Sequence, residues 1–223
     1  MKIAMVFDVE TTGLLNMKYG VLPKLDECPY VVQCSYILYD LDTHEIIKTM
    51  NSYVKIPENI PIPAESTAIH GITREMCDSG RLMADILLEF YEDYFKASVL
   101  VAHNFKFDTK LLNIEFQRNL RKDWCPCALK LFLPVYMEEI KKEYICTMES
   151  STELCKIGFP SGRENRYKWP TLLELYRHLF LKTPENLHDS MMDCLVCLRC
   201  VLKISYNHDM ADDVFEAMVL NFN

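Results

Sequence analysis

No stretch of the 223 residues approaches the roughly 18 uncharged apolar residues that a membrane-spanning helix needs, so no spanning segment is expected. Met1–Phe7 is apolar apart from Lys2, but Asp8 and Glu10 interrupt it too early for a secretory leader. An intracellular protein, cytoplasmic or nuclear, is therefore expected. Internal repeats and low-complexity segments are missing too. So is an excess of positive charge: 24 Lys and Arg face 32 Asp and Glu, a net charge of −8. Such a chain is a poor general binder of a polyanion. The ten cysteines lack the paired Cys-x-x-Cys blocks of a zinc ribbon. Cys194, Cys197 and Cys200 recur every three residues in an apolar helical run. Cys125 and Cys127 form a tight pair, with Cys146 and Cys155 further on. In a reducing compartment these read as free thiols packed in a core.

What is present suits one globular domain over residues 1–223. Half of the residues are hydrophobic (50%) and a quarter are charged (25%), enough to bury a sizeable core. Ile3–Phe7 is a continuous apolar run, the mark of a strand buried on both faces. Tyr30–Leu41 reads as a second strand. Asp42–His44 would turn the chain into a third at Glu45–Lys55. Pro57, Pro61 and Pro63 break regular structure before a short helix at Ala64–Ile69, ending at Gly71. Leu82–Phe95 has helical spacing, Ser98–Ala102 reads as a buried strand and Asp108–Leu120 as a helix. From Trp124 to Trp169 the pattern is weaker, with a helix at Val135–Glu143, a strand at Tyr144–Thr147 and a polar loop at Gly158–Lys168. Pro170–Thr171 opens a helix carrying Leu172, Leu175 and Leu179. Ser190–Ile204 follows, with Met191, Leu195, Leu198 and Leu202 as its core stripe, and Ala211–Leu220 comes last. This order predicts an α/β sheet with helices on both faces.

Three acidic elements carry the chemistry. Asp8 and Glu10 stand where a buried strand ends, and residues two apart in a strand point the same way. Two such carboxylates repel unless a cation joins them. Val101–Asp108 is a buried strand, a polar loop and an acid at a helix start, where Asp108 taken singly reads as an N-cap. His188–Asp193 opens the strongest helix, which sets Asp193 beside its packed face and His188 in the loop or first turn. Asp8, Glu10, Asp108 and Asp193 are oxygen ligands suited to Mg²⁺ or Mn²⁺, not zinc. Four carboxylates match a two-ion centre, with ions ~4 Å apart clamping a phosphodiester. One histidine suits the removal of a proton from an attacking water.

These elements resemble the DnaQ-like (DEDDh) family of 3′-to-5′ exonucleases. The resemblance rests on Phe7–Leu14, on Ala68–Thr73, on His103–Asp108 and on His188–Asp193, in that order along the chain. The place four residues before Asp193, a tyrosine in a related branch, holds Asp189 here. The resemblance implies a ribonuclease-H-like fold, a mixed five-stranded sheet flanked by helices. It implies that Asp8, Glu10 and Asp193 hold one ion, that Asp8 bridges to a second supported by Asp108, and that His188 is the general base. It further implies that Thr11, Thr12, Gly13 and Leu14 meet the terminal nucleotide, Leu14 as a wedge and the turn through backbone N–H groups. Asn104 and Phe107 would line the strand's path, with His70 close by. His103 reads equally as a strand-end residue without contact. Residues 119–169 would be a family-variable insertion.

The expected reaction is release of nucleoside 5′-monophosphates from a free 3′ end, with single-stranded DNA preferred over RNA. A polymerase or a replication or repair protein is the expected partner. An exoribonuclease and a non-catalytic nucleic-acid-binding scaffold are the competing readings. Residues 106–170 hold 12 of the 24 Lys and Arg. Arg118, Arg121 and Lys122, or Arg163, Arg166 and Lys168, could thus track a phosphate backbone locally, and each reads equally as part of a solvated basic face.

Overall fold

A computed structural model describes residues 2–17, 21–120, 126–159, 166–184 and 186–222. The chain opens with β1 (Ile3–Thr11), β2 (Val31–Asp40) and β3 (Glu45–Lys55). Next come α1 (Ala64–His70), α2 (Arg74–Asp78), β4 (Arg81–Leu82), α3 (Met83–Lys96), β5 (Val99–Ala102) and α4 (Phe105–Arg118). A 3-10 turn at Pro126–Lys130 precedes α5 (Pro134–Glu139), β6 (Glu143–Cys146), α6 (Thr147–Ser150) and α7 (Thr152–Cys155). The last helices are α8 (Leu172–Phe180), α9 (Ser190–Tyr206) and α10 (Asp212–Leu220).

The sheet is mixed, in the order β4-β3-β2-β1-β5-β6. β1, β2 and β3 form an antiparallel meander, and β1, β5 and β6 run parallel. It has six strands, not the five expected. The addition is β4, two residues parallel to Val54–Lys55 at the edge of β3. Two residues leave no alternation to read. The preceding Gly80 admits the close approach, because a β-carbon there would lie 2.5 Å from the Tyr53 carbonyl oxygen.

Alternation along β1 divides the core. Ile3, Met5, Phe7 and Val9 face α3 and α4, where Phe7 packs edge-on against Phe90 at 5.7 Å between centroids. Ala4 and Val6 face α8, α9 and α10. Asp8 and Glu10 continue this second row past the end of the apolar layer. Helix α9 is buried nearly all round from Ser190 to Leu202, because the sheet, α8 and α10 enclose it. Cys194, Cys197 and Cys200 lie in that core as free thiols, as expected, whereas Cys125 falls outside the described residues. The helix expected from Val135 ends at Glu139, so β6 starts at Glu143. Most of the loop expected at Gly158–Lys168 lies outside the described residues. No helix among the described residues is long and apolar enough to cross a membrane.

Candidate active site

The β1–β2 ladder slips its register between Glu10 and Thr11. This bulge ends the pairing just where the acidic pair stands and turns the chain away. The turn is tied back to the start of β2: Thr12 N–H donates to the Tyr30 carbonyl at 2.9 Å, and Tyr30 N–H to Thr12 Oγ1 at 3.0 Å. Gly13 N–H donates to Thr11 Oγ1 at 3.4 Å. Leu14 projects beyond it, 85% exposed.

Asp108 arrives from α4. It is not the N-cap expected from the sequence. The helix begins three residues earlier, because Asn104 adopts a left-handed conformation (φ 81°) that starts it at Phe105. Asp108 therefore lies inside the first turn, 2% exposed, facing the sheet. It accepts the Val9 N–H, while its Oδ2 is buried with no hydrogen-bond partner among the described residues. Phe107 packs at the margin of the α3–α4 core.

Asp193 arrives from the first turn of α9. Its Oδ2 accepts the His188 N–H at 3.3 Å, and its Oδ1 is buried without a partner. His188 is exposed and left-handed (φ 71°), which carries its ring back over the helix start. Ligand atoms of Glu10, His188 and Asp193 lie within 4.8 Å of one another. His70 completes the rim. Its Nδ1 accepts the Ile72 N–H at 3.0 Å, and its buried ring lies against the Thr11 backbone.

The electrostatics follow from this crowding. Burial first, and then the charges of Asp108, Asp193 and Glu10, hold the Asp8 carboxyl well above its ordinary range. Glu10 is pushed up to about 8 by burial and then by Asp193 and Asp108. Asp193 is raised to about 7 by burial, opposed by the His188 N–H and reinforced by Asp189. Burial also raises Asp108, against two backbone hydrogen bonds. The charges acting most strongly on this group are its own members' and that of Asp189. Two carboxylates with one oxygen fixed by backbone and the other buried without a protein donor among the described residues fit the coordination of a cation. The donor set, all oxygen apart from His188, fits Mg²⁺ or Mn²⁺.

The expectations for the basic residues are partly overturned. Arg118 donates to the carbonyls of Leu25, Cys28 and Pro29 and pairs with Glu115 at 2.6 Å, so it holds the Leu25–Pro29 loop and not a phosphate. Lys168 is paired with Glu174 at 2.5 Å. Arg166 is exposed, and Arg121, Lys122 and Arg163 lie outside the described residues. His103 is a structural residue, bonded to Thr147 Oγ1 at 2.9 Å and the Pro170 carbonyl at 3.1 Å. Gln33, Ser35 and Asn51, not among the residues expected at the site, contact the start of α9 or one another beside it. The signal was there: Gln33 and Ser35 are polar residues within an otherwise apolar strand.

A family model described as exonuclease (RNase_T) matches residues 5–201. The chain belongs to this exonuclease family. Over 107 residues the exonuclease chain is 33% identical to a DNA polymerase III subunit epsilon-like protein of Rhodobacter capsulatus, covering 48% of this chain and 14% of that protein. Over 119 residues it is 29% identical to the PolC-type DNA polymerase III of Thermotoga maritima, covering 53% of this chain and 8% of that one. It thus spans a small part of the length of these curated relatives. Among solved structures, the nuclease domain of 3′hExo, a DEDDh family member bound to rAMP, superposes with a TM-score of 0.62 at 18% identity, over 92% of each chain. E. coli exonuclease I in complex with a 5cy-dA13 oligonucleotide gives 0.64 at 14% identity, over 100% of this chain and 44% of that one. The shared fold is ribonuclease-H-like.

Proposed function

We propose that this chain is a metal-dependent 3′-to-5′ exonuclease that removes nucleoside 5′-monophosphates from a free 3′ end, with single-stranded DNA as the preferred polymer. The observation that carries the reading is the set Asp8, Glu10, Asp108 and Asp193, with two buried unpartnered oxygens and His188 at its rim, in a chain of the exonuclease family.

Asp8, Glu10, Asp108 and Asp193 would hold two Mg²⁺ or Mn²⁺ ions, which when bound would offset the clustered charge and supply Lewis acidity toward the phosphodiester. His188 takes the proton of the attacking water, its exposed ring reaching the cleft from the loop before α9. The P–O3′ bond breaks, leaving a 5′-monophosphate and a strand shortened by one nucleotide. Leu14 wedges against the terminal base, with Thr11 and Gly13 bonded to each other and Thr12 tied to Tyr30 behind it. Asn104 and Phe107 border the strand's path, and His70 buttresses the Thr11 turn from behind. Lys106, Lys110 and Asn113 line a groove of about 240 Å³ along α4, and Lys110 Nζ lies 3.4 Å from Met17 Sδ in the loop that carries Leu14. Lys106 is held by Glu149 at 2.7 Å, so the phosphate-tracking part in this groove falls to Lys110.

Residues 1–223 act as one exonuclease domain, and 119–169 are its variable segment, whose β6 and α5 to α7 pack at the sheet edge. The polymerase III relatives support a replication or repair chain as partner. Likeness to a 3′-exonuclease described as recognising a histone mRNA stem-loop favours an exoribonuclease as the second reading. A side-by-side assay on labelled single-stranded DNA and RNA, in Mg²⁺, Mn²⁺ and EDTA, decides. DNA shortened faster than RNA supports the proposal, RNA alone shortened selects the second reading, and no shortening in either metal sinks both.

A further inference from the structure

We propose that Gln33, backed by Ser35 and Asn51, is the positioning residue that fixes His188 and Asp193 over the carboxylates of β1; this rests on the exonuclease reading above. The β1–β2 ladder sets Gln33 opposite Glu10 and Ser35 opposite Asp8. The β2–β3 ladder sets Asn51 opposite Ser35 and Tyr53 opposite Gln33. Directly opposed residues share a face of the sheet. Two polar rows therefore cross three strands under the start of α9: Asp8, Ser35, Asn51 and Glu10, Gln33, Tyr53.

Gln33 is 1% exposed in a strand whose ten residues are all buried. Buried polar groups are unfavourable unless each finds a partner, and here they do. Gln33 Nε2 donates to Asp189 Oδ2 at 2.7 Å and to Asn51 Oδ1 at 3.0 Å, while its Oε1 accepts the Ser190 N–H at 3.2 Å. Ser35 Oγ donates to Asn51 Oδ1 at 2.9 Å, so at its 2.6 Å contact with Ser190 Oγ the Ser190 hydroxyl is the donor. One amide thus grips both residues that follow His188, using its donor end for one and its acceptor end for the other.

Capping alone does not require this grip. Asp189 Oδ1 caps α9 by accepting the N–H groups of Met191 and Met192, both at 3.1 Å. The bonds from β2 are additional, and they meet the chain beside its left-handed residue. A residue with a β-carbon stays left-handed only where its flanks are held. His188 has Asp193 Oδ2 on its own N–H and Gln33 on the next two residues. Glu10 and the His188 turn are thereby referenced to the same pair of strands.

The test is a cycle of Gln33→Glu, Asp189→Asn and their combination, with Gln33→Leu alongside. Gln33→Glu sets a carboxylate against Asp189, and the double variant restores a donor facing an acceptor. In Gln33→Glu and Gln33→Leu, kcat falls by about 10²-fold, as for a small misplacement of a reacting group, with KM nearly unchanged. The double variant recovers most of that loss. Unchanged kcat in both single variants, or a fall in melting temperature with full kcat, overturns the proposal. Amide exchange read by NMR without substrate separates this from the exonuclease reading itself. The amides of His188 and Ser190 exchange about tenfold faster in Gln33→Leu even if the parent chain cleaves nothing; equal rates overturn the positioning role.

Discussion

Asp193→Asn is expected to lower kcat by at least about 10²–10³-fold, the usual loss when one preorganised electrostatic contact at the reacting centre is removed. His188→Ala is expected to lower it by about 10²–10⁴-fold, the range for a general base. The two losses have different causes, and melting curves tell them apart. Asp193 Oδ1 is buried and unpartnered, so its loss removes a place for a cation and with it part of the stabilisation by Mg²⁺. His188 sits at the exposed rim, so its loss leaves that stabilisation intact. Yet its ring also lies within ligand distance of Glu10 and Asp193. If His188→Ala abolishes the Mg²⁺ effect, the ring is a ligand and the base lies elsewhere. If either variant retains normal kcat, its assignment is wrong. The double variant is expected to lose little beyond the worse single one, because residues acting on one step are not additive.

Mg²⁺ is expected to raise the melting temperature strongly at alkaline pH and little at acid pH. Glu10 is raised to about 8 and Asp193 to about 7, mainly by burial. Both groups thus hold protons in the folded chain that they release in the unfolded one. Their contribution to stability is fully present below the ordinary carboxylate range and is lost as pH rises through about 7–8. Without a divalent ion, the melting temperature should therefore fall between about pH 5.5 and pH 8.5. A divalent ion replaces the lost protons. At about a hundredfold excess over its Kd it adds about 2.7 kcal/mol, or about 5–10 °C for a chain of this size. Asp8→Asn should raise the metal-free melting temperature at pH ~8 by relieving the same repulsion, while removing activity. A metal-free melting temperature that rises with pH, or a Mg²⁺ effect equal at both ends of the range, contradicts this electrostatic description.

The parts legible in the sequence are those with a short-range pattern. The apolar run Ile3–Phe7 followed by Asp8 and Glu10 defines both a buried strand and where it leaves the core. The stripe of α9 defines a buried helix with Asp193 on its margin, although its burial on every side shows only once α8 and α10 enclose it. The start of α4 was misjudged because the left-handed Asn104 begins a helix that propensity places at Asp108. The role of Arg118 is not legible in the sequence, because a count of charges cannot tell a side chain filling carbonyls of its own chain from one facing solvent. β4 is too short for periodicity and depends on one close approach at Gly80. Gln33 and Ser35 were visible as polar residues in an apolar strand, but their partners, Asp189 and Ser190, lie more than 150 residues away. Such pairing exists only in the folded chain.

The central claim is hydrolysis from a free 3′ end by the carboxylate cluster. The most direct measurement follows a 5′-labelled single strand with either a free 3′-hydroxyl or an inverted terminal nucleotide, in Mg²⁺ and in EDTA, with Asp193→Asn as control. A ladder descending from the 3′ end, with 5′-mononucleotides released only from the unblocked strand in Mg²⁺ and none from Asp193→Asn, is the predicted result. Internal cleavage of the blocked strand, shortening from the 5′ end, or equal activity in EDTA or in Asp193→Asn would contradict it.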